Sequence, residues 1–330
     1  MTLPAPLTWQ EDGQTRSALW VTDHGARPPS KVMVVDDTLN ADTAYRLACE
    51  GTGLLWRGDF QNARQLLQAL KRRLDRPARK KPAKAKAGDN AHPTPSLFNA
   101  HRQAQSQRAR VLSQILIELQ PDYSIALRRA PGVQQACQQA WGPADGQHRV
   151  VSLRSLQGVI GSFEWRKNGV AVPALGEHLS IHPHYGVFSP VRGEYVQLVA
   201  KAPWPEALKT HSVAFDIGVG TGVLSALLAR RGAAQVVGSD LSERALACAR
   251  DNLQRLGLQN QVQLLHTDLF PPGQAALVVC NPPWLPARAT SLLEQAVYDE
   301  GSQMLKGFLS GLPAHLCEGG EGWLILSDLA

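Results

Sequence analysis

The chain lacks the features that would place it in a membrane or a secretory class. Its 330 residues contain no run of 18 apolar residues, so no membrane-spanning helix is expected. The first six residues lack a basic region followed by an apolar run, and no secretory signal is therefore expected. The five cysteines are scattered without a C-x-x-C pair, which indicates free thiols in a cytoplasmic protein.

A net positive charge is absent from most of the chain, although the total net charge is +6. Residues 71–87 contain nine Lys or Arg and one Asp and contribute +8, which leaves −2 for the remainder. Because this segment is rich in Ala and Pro, we predict a linker over residues 76–97. Its charge either aids solubility or binds the phosphates of RNA or DNA without sequence preference.

A glycine-rich turn lies between a predicted strand and a predicted helix. The apolar run Val213–Phe215 ends at Asp216, glycines follow at 218, 220 and 222, and a helix is predicted from Val223 to Arg231. This is the first unit of a nucleotide-binding α/β fold. The dinucleotide fingerprint G-x-G-x-x-G fails because its third glycine position is Val223. The pattern D-x-G-x-G-x-G resembles the first motif of class I S-adenosylmethionine-dependent methyltransferases.

Two further acidic residues end predicted strands. Asp240 follows Asp216 by 24 residues, and a carboxylate there can accept hydrogen bonds from both ribose hydroxyls. Ser242 is the predicted N-cap of the next helix. Asp268 ends the third predicted strand, where we expect it to reach an adenine amino group. The alternative is that each Asp is a turn or cap residue.

A polar, proline-rich and aromatic segment follows the fourth predicted strand, Ala275–Cys280. Asn281-Pro282-Pro283-Trp284 begins 65 residues after Asp216, at the strand end that faces the ligand crevice. The Asn281 side-chain oxygen and the Pro282 carbonyl can accept the two hydrogens of an amine or carboxamide. Trp284 offers a flat face on which a base can stack. The alternative is a strand-ending turn with a core tryptophan.

This segment resembles the N-P-P-[YFW] signature of amino-methyltransferases. Together, the two resemblances imply methyl transfer from S-adenosylmethionine to nitrogen, with Asn281, Pro282 and Trp284 in catalysis. They also imply that Asp216 lies near the methionine amino end, and that the segment from Gly186 to Tyr195 runs over the cofactor. The expected cofactor-binding residues are Phe188, Asp216, Gly218, Gly220, Gly222, Asp240, Asp268 and Asn281.

Methyl transfer of this kind needs no metal. His182 and His184, with His178 nearby, match no metal-site spacing, and we expect them to be structural or to line the cofactor site. Residues 163–172 predict a hairpin with an Asn-Gly turn. A hairpin before a covering segment is similar to release-factor glutamine methyltransferases. Those enzymes usually carry a P-R-P-E-T-like string where this chain has Ser-Pro-Val-Arg-Gly-Glu, which argues against glutamine as the substrate.

Four regions are predicted along the chain. They are a small α/β module (1–75), the basic linker (76–97), a helical and β-hairpin substrate-recognition region (98–185) and an S-adenosylmethionine-binding domain (186–330). Strands are predicted at Ser17–Val21 and Lys31–Val35 and helices at Gln61–Leu70 and Leu97–Leu119. The fold class is therefore α/β, a Rossmann-like class I methyltransferase domain that lacks the final strand hairpin, preceded by a smaller mixed α/β region.

The sequence favours a cytoplasmic N-methyltransferase that acts on a nucleic acid base, first of all in RNA. The stacking tryptophan and the basic linker support that substrate. A glutamine carboxamide in a protein is the second substrate class. A non-catalytic scaffold with a methyltransferase fold that binds nucleic acid is a third interpretation, from a different class of function.

Overall fold

The computed structural model describes residues 6–22, 26–75, 95–191, 193–285 and 296–326, with backbone only for residues 95–102. The predicted linker therefore lies outside the described residues, apart from its last three positions. The chain divides into two compact units, residues 1–160 and 161–330. Among the described residues, no helix combines the length and the apolar character that a membrane crossing requires.

The N-terminal unit is built on a six-stranded mixed sheet. Its strands are β1 (Pro6–Glu11), β2 (Gln14–Val21), β3 (Lys31–Val35), β4 (Thr52–Trp56), β5 (Ile115–Leu119) and β6 (Arg149–Ser152). Its helices are α1 (Ala41–Cys49), α2 (Phe60–Leu74), α3 (Pro95–Leu112) and α4 (Gln134–Trp141). The strand order is β1-β2-β6-β5-β4-β3, with β3, β4 and β5 parallel. The predicted strands over 17–21 and 31–35 and the predicted helix over 61–70 are confirmed.

A two-residue turn at Asp12 and Gly13 joins β1 to β2, and both residues have positive φ angles of 52° and 73°. Such turns match the right-handed twist of the two strands. Arg57 follows β4 and ion-pairs with Glu11 of β1 at 2.6 Å and with Glu118 of β5 at 2.7 Å. The Arg57 hydrogen bond lowers the pKa of Glu11 to about 2. This network ties β1 to the centre of the sheet.

The predicted single helix over Leu97–Leu119 is wrong in its last seven residues. Helix α3 ends at Leu112, and Ile115–Leu119 forms β5 inside the sheet. Ile115, Leu116 and Ile117 are fully buried there. A short strand that is buried on both faces carries a continuous apolar run, which periodicity cannot distinguish from a buried helix.

The C-terminal unit is built on a five-stranded parallel sheet with the order β11-β10-β9-β12-β13. Its strands are β9 (Val213–Ile217), β10 (Gln235–Asp240), β11 (Val262–His266), β12 (Ala275–Cys280) and β13 (Leu316–Leu324), with a short pair β7 (Val170–Ala171) and β8 (Ser180–Ile181) before them. Its helices are α6 (Glu194–Lys201), α7 (Val223–Arg230), α8 (Glu243–Arg255) and α9 (Gln303–His315), while α5 (Leu153–Asn168) crosses the division between the units. The strand order reverses between β9 and β12, which is where open α/β sheets bind ligands.

Most elements of this unit agree with the sequence predictions. The four strands before α9 match closely, and Ser242 caps α8 by accepting a hydrogen bond from the Ala245 amide. The last strand spans Leu316–Leu324, six residues earlier than its predicted start. Strand β12 is buried along its whole length, so the segment after it begins at a fixed position at the carboxyl end of the sheet.

The predicted hairpin over residues 163–172 is wrong. Residues 163–168 are the last turns of α5, and Gly169 follows the helix with a φ of 76°. A Cβ at Gly169 would lie 2.8 Å from the Ser180 Cβ, so only glycine fits this position. The Asn-Gly pair therefore ends a helix, a position at which glycine is common.

Candidate active site

A cavity of about 640 Å³ opens at the carboxyl ends of β9, β10 and β12. Its walls come from the glycine turn, the end of β10, the residues after β11 and β12, the start of α9 and the segment from Gly186 to Tyr195, which we call the covering segment. The predicted site residues that line it are Phe188, Asp216, Gly218, Gly220, Asp240, Asp268 and Asn281. Among the described residues, Gly222, Pro282 and Trp284 were also predicted for the site but do not line the cavity.

The glycine turn is fixed by the neighbouring strand. The amides of Gly218 and Val219 donate hydrogen bonds to the Ser239 carbonyl at 2.9 and 2.8 Å. Gly218 has a φ of 77°, and a Cβ there would lie 3.2 Å from the Met304 Cε, so the position requires glycine. The bare backbone of the turn therefore forms the cavity wall.

Gly222 has a packing role instead. It precedes α7 with a φ of 80°, and a Cβ there would lie 3.2 Å from the Cα and Cβ of Ala249 on α8. The absence of a side chain lets α8 approach the end of the glycine turn. Its contribution to the cavity is thus indirect, through the position of α8.

Asp216 is the buried acid of the cavity, with a relative exposure of 1%. The Ser225 hydroxyl donates to its Oδ2 at 2.6 Å. Burial, with a smaller contribution from the charge of Asp240, raises the pKa of Asp216 to about 6, although hydrogen bonds from Ser225 oppose the shift. Tyr195 lines the same wall, and its pKa is also raised by burial, with a smaller contribution from Asp216.

The Asp240 carboxylate is held by backbone amides on both oxygens. The Gly220 amide donates to Oδ2 at 3.1 Å and the Ser242 amide donates to Oδ1 at 2.8 Å. A carboxylate has about four acceptor positions, so both oxygens retain capacity for a ligand. Asp268 lies at the exposed end of the lining, two residues after β11.

The segment after β12 contributes Asn281 and Pro283 to the lining, while Pro282 is buried and Trp284 is half-buried. Its backbone pairs with a later stretch of the chain. The Trp284 amide donates to the Val297 carbonyl at 3.1 Å, and the Asp299 amide donates to the Leu285 carbonyl at 2.8 Å. These bonds fix the direction in which the segment leaves the sheet.

Asp299 is a lining residue that the sequence analysis missed. It is 8% exposed, and its carboxylate accepts hydrogen bonds from the amides of Gln303 at 2.8 Å and Leu305 at 3.2 Å. It thereby caps α9, whose Gln303, Met304 and Gly307 also line the cavity. An Asp just before a predicted helix is a start signal, which could have drawn attention to this residue.

The covering segment brings Gly186, Val187 and Phe188 to the cavity, and Phe188 is 41% exposed. The preceding His182 and His184 do not line it and are hydrogen-bonded to residues of α5 and α8. Burial lowers the pKa of His184, and the charge of Arg166 lowers it further. Within the described ranges there is no group of three or more His, Cys, Asp or Glu that could hold a metal ion.

This geometry agrees with the comparison with known families, in which residues 179–327 match the family described as "Methyltransferase small domain". Residues 179–327 are therefore similar to the methyltransferase small-domain family. The parallel sheet, the glycine turn after its first strand and the Asn-Pro-Pro-Trp segment after its fourth are thus parts of a methyltransferase domain with the Rossmann-like α/β fold predicted from the sequence.

Three relatives illustrate the range of named activities around this domain. The release factor glutamine methyltransferase of Caulobacter vibrioides is 42% identical over 30% of this chain and 36% of its own length. The ribosomal protein uL3 glutamine methyltransferase of Neisseria gonorrhoeae is 34% identical over 34% of this chain and 38% of its own. The ribosomal RNA small subunit methyltransferase C of Alcanivorax borkumensis is 33% identical over 42% of this chain and 40% of its own.

The chain therefore spans well under half of the length of each of these relatives. The alignment with the glutamine methyltransferase of Caulobacter vibrioides covers 106 residues. The similarity supports the methyltransferase domain and says nothing about residues outside it.

Proposed function

We propose that the chain is an S-adenosylmethionine-dependent N-methyltransferase that acts on a planar exocyclic amine or amide, in the first instance a base in RNA. The observation that carries the proposal is that Asn281 and the acidic residues Asp216 and Asp240 line one cavity. One polar group is thus available for the acceptor nitrogen, and two acids for the cofactor. The scattered cysteines support a cytoplasmic site of action.

The lining fits S-adenosylmethionine. A cavity of about 640 Å³ lies within the range of small-molecule sites, roughly 300–1,000 Å³. The buried Asp216 carboxylate suits a cationic amino group, because an opposite charge would offset its desolvation. The free acceptor positions on Asp240 suit a pair of ribose hydroxyls, and the half-exposed ring of Phe188 gives an apolar surface for the rest of the cofactor.

The chemistry then depends on orientation. S-adenosylmethionine supplies an electrophilic methyl group on a sulfonium. The Asn281 side-chain oxygen, which lines the cavity, accepts a hydrogen of the substrate NH2 and holds its nitrogen in place. Both prolines limit the motion of this loop, so its acceptor keeps its direction before the substrate binds. The nitrogen becomes acidic once it is methylated, and solvent can remove its proton.

RNA is favoured as the substrate by the basic segment at residues 71–87, which carries a net +8. Lys and Arg in such a segment bind phosphates and hold a nucleic acid close without reading its sequence. A target base would have to leave its stack, or be unpaired already, to enter the cavity.

Glutamine in a protein is the second candidate, because two of the three relatives described above are named as glutamine methyltransferases. A carboxamide presents the same planar NH2 to Asn281. The scaffold interpretation requires only nucleic acid binding, and it separates from both enzyme proposals because it predicts no loss of biological activity in an Asn281→Ala variant.

The test is methyl transfer by the parent chain and by Asn281→Ala, with a labelled methyl donor and pools of RNA and protein. We expect turnover to fall by at least about a hundredfold, since one preorganised polar contact is lost. Binding of S-adenosylmethionine should be kept, as measured by calorimetry. Asn260→Ala, at an exposed position, is the matched control and should behave as the parent chain.

Label in RNA supports the first substrate class and label in protein supports the second. Cofactor binding without label in either pool would favour the scaffold. A folded parent chain that does not bind S-adenosylmethionine would contradict the proposed function altogether.

A further inference from the structure

The chain segment before Gly186 lies along one face of α8 and is bonded to it at successive positions. Arg244 Nη1 donates to the Tyr185 carbonyl at 3.1 Å, and the His184 amide donates to Cys248 Sγ at 3.3 Å. Nearer the end of the helix, the His182 amide donates to Asn252 Oδ1 at 2.7 Å. The helix positions advance as the segment positions decrease, so the two run antiparallel.

Asn252 differs from the other contacts because it also reaches the glycine turn. Its Nδ2 donates to the His182 carbonyl at 3.3 Å and to the Thr221 carbonyl at 3.0 Å. With the bond from the His182 amide, both amide hydrogens and the oxygen have partners, and the residue is 1% exposed. A single carboxamide therefore joins two backbone stretches that are 39 positions apart in the sequence.

One of these stretches lines the cavity, and the other leads into its lining. Thr221 lines the cavity itself, next to Gly220, and the segment that begins at His182 leads into Gly186, Val187 and Phe188. Asn252 does not line the cavity, among the described residues. Its influence on a ligand can therefore act only through the backbone that it holds.

Only an asparagine carboxamide satisfies this set of partners at this length. An aspartate offers no donor for the two carbonyls, and a leucine of similar volume offers neither donor nor acceptor. Either replacement leaves buried backbone groups without partners, and such groups are costly. Close packing of α8 on the glycine turn is supplied separately by Gly222 against Ala249, so the hydrogen bonds of Asn252 can be removed without removing that contact.

We propose that Asn252 is a positioning residue for the cofactor site, which holds His182, at the entry to the covering segment, and the glycine turn in one arrangement. It acts before any ligand binds, by limiting the motion of residues 182–188. Its effect on S-adenosylmethionine rests on the proposed function, whereas its effect on the covering segment does not.

The experiment compares the parent chain with Asn252→Leu and Asn252→Asp, and uses Asn260→Leu as the exposed control. A milder variant is Asp251→Asn. It weakens the ion pairs that the Asp251 carboxylate forms with His184 at 2.8 Å and with Arg166 at 3.0 Å. It covers the case in which the buried substitutions prevent folding, because the Asp251 side chain is 43% exposed. Amide hydrogen exchange of peptides covering 180–188 is the first readout, and calorimetric binding of S-adenosylmethionine is the second.

We expect exchange in 182–188 to become about tenfold faster in the Asn252 variants and to change less in Asp251→Asn, as the loss of buried hydrogen bonds implies. Cofactor affinity should fall by about tenfold or more, which corresponds to about 1.4 kcal/mol. Turnover at saturating cofactor should change little, because the loss lies in binding. Asn260→Leu should match the parent chain in both readouts.

Unchanged exchange in 182–188 in a folded Asn252 variant would overturn the proposal, and so would an affinity within twofold of the parent chain. If the parent chain itself binds no cofactor, the proposed function fails, while the exchange comparison still decides whether Asn252 holds the covering segment.

Discussion

Burial of the ionised Asp216 carboxylate costs the folded chain stability. Its carboxylate is almost completely buried, with one hydroxyl donor from Ser225. Because burial raises its pKa from 3.8 to about 6, the native chain binds this proton more tightly than the unfolded chain does. The contribution of Asp216 to stability is therefore fully present below pH 3.8 and is lost as the pH rises through about 6.

The substitution Asp216→Asn removes this titration. We expect the variant to be more stable than the parent chain by up to about 3 kcal/mol above pH 7, and the difference to shrink towards zero near pH 4. Urea unfolding at pH 4, 6 and 8 measures it. Asp268→Asn, on an exposed side chain, is the matched control and should stay within about 0.5 kcal/mol of the parent chain throughout.

The substitution Asp216→Asn should also weaken the binding of S-adenosylmethionine, because it removes the negative charge that would pair with the cofactor amino group. In the parent chain, affinity should rise as the pH increases through about 6 and Asp216 ionises. Calorimetric titration at pH 5 and pH 7.5 tests both statements. A parent affinity that is independent of pH in this range would separate Asp216 from cofactor binding.

At the scale of elements, the contact between α7 and α8 depends on the missing side chain of Gly222. Gly222→Ala combines a left-handed backbone with a 3.2 Å approach to Ala249. We expect it to lower the free energy of unfolding by about 2–4 kcal/mol. Gly257→Ala is the control, because Gly257 has a similar φ of 71° but no atom within 4 Å of the added Cβ. It should cost about 1 kcal/mol.

Chemical denaturation of both glycine variants measures these costs. Equal losses in the two would show that backbone strain alone decides them and that α8 tolerates the added methyl group. A larger loss in Gly222→Ala would establish the close approach of the helices as the reason for this glycine.

The elements differ in how far local sequence determines them. Strands β9, β10 and β12 were predictable because each is an apolar run that ends at a polar residue, and the glycine turn placed the first of them. The C-terminal ends of α3 and α5 could not be predicted from local sequence. Ile115–Leu119 has an apolar pattern that fits helix and strand alike, and only its place between β4 and β6 decides the outcome.

In the candidate site too, local sequence predicts some residues and not others. Sequence position at strand ends predicted that Asp240 and Asn281 would lie near the glycine turn, because parallel strands present their carboxyl ends together. Pro282 and Trp284 were predicted in the same site from residue type, and their side chains lie outside its lining. Strand geometry fixes where a segment begins, whereas the direction of each following side chain depends on pairing with Val297 and Asp299, which are distant in sequence.

For the whole molecule, we expect the basic segment to control RNA binding through its charge. Replacing Lys80, Lys81, Lys84 and Lys86 by Gln removes four positive charges. The slope of log affinity against log salt concentration should decrease in magnitude by up to about 3 for single-stranded RNA. The same change at Lys31, Lys167, Lys201 and Lys209 alters the net charge equally and is the control.

Affinity for RNA homopolymers, measured by fluorescence anisotropy between 50 and 300 mM salt, gives both slopes. Equal flattening in the two variants would indicate a response to net charge alone. No RNA binding by the parent chain would remove the main support for RNA as the substrate and leave the glutamine candidate.

The strand order of the N-terminal unit has a consequence for how this protein can be divided. Strands β2 and β4 precede residues 76–94, yet they pair with β6 and β5, which follow them. The ion pairs of Arg57 with Glu11 and Glu118 connect the same two stretches. A chain cut engineered between residues 76 and 94 would leave one fragment with four strands of this sheet and one with the other two. We expect the two fragments to reassemble through backbone pairing, because neither contains the complete sheet of the N-terminal unit.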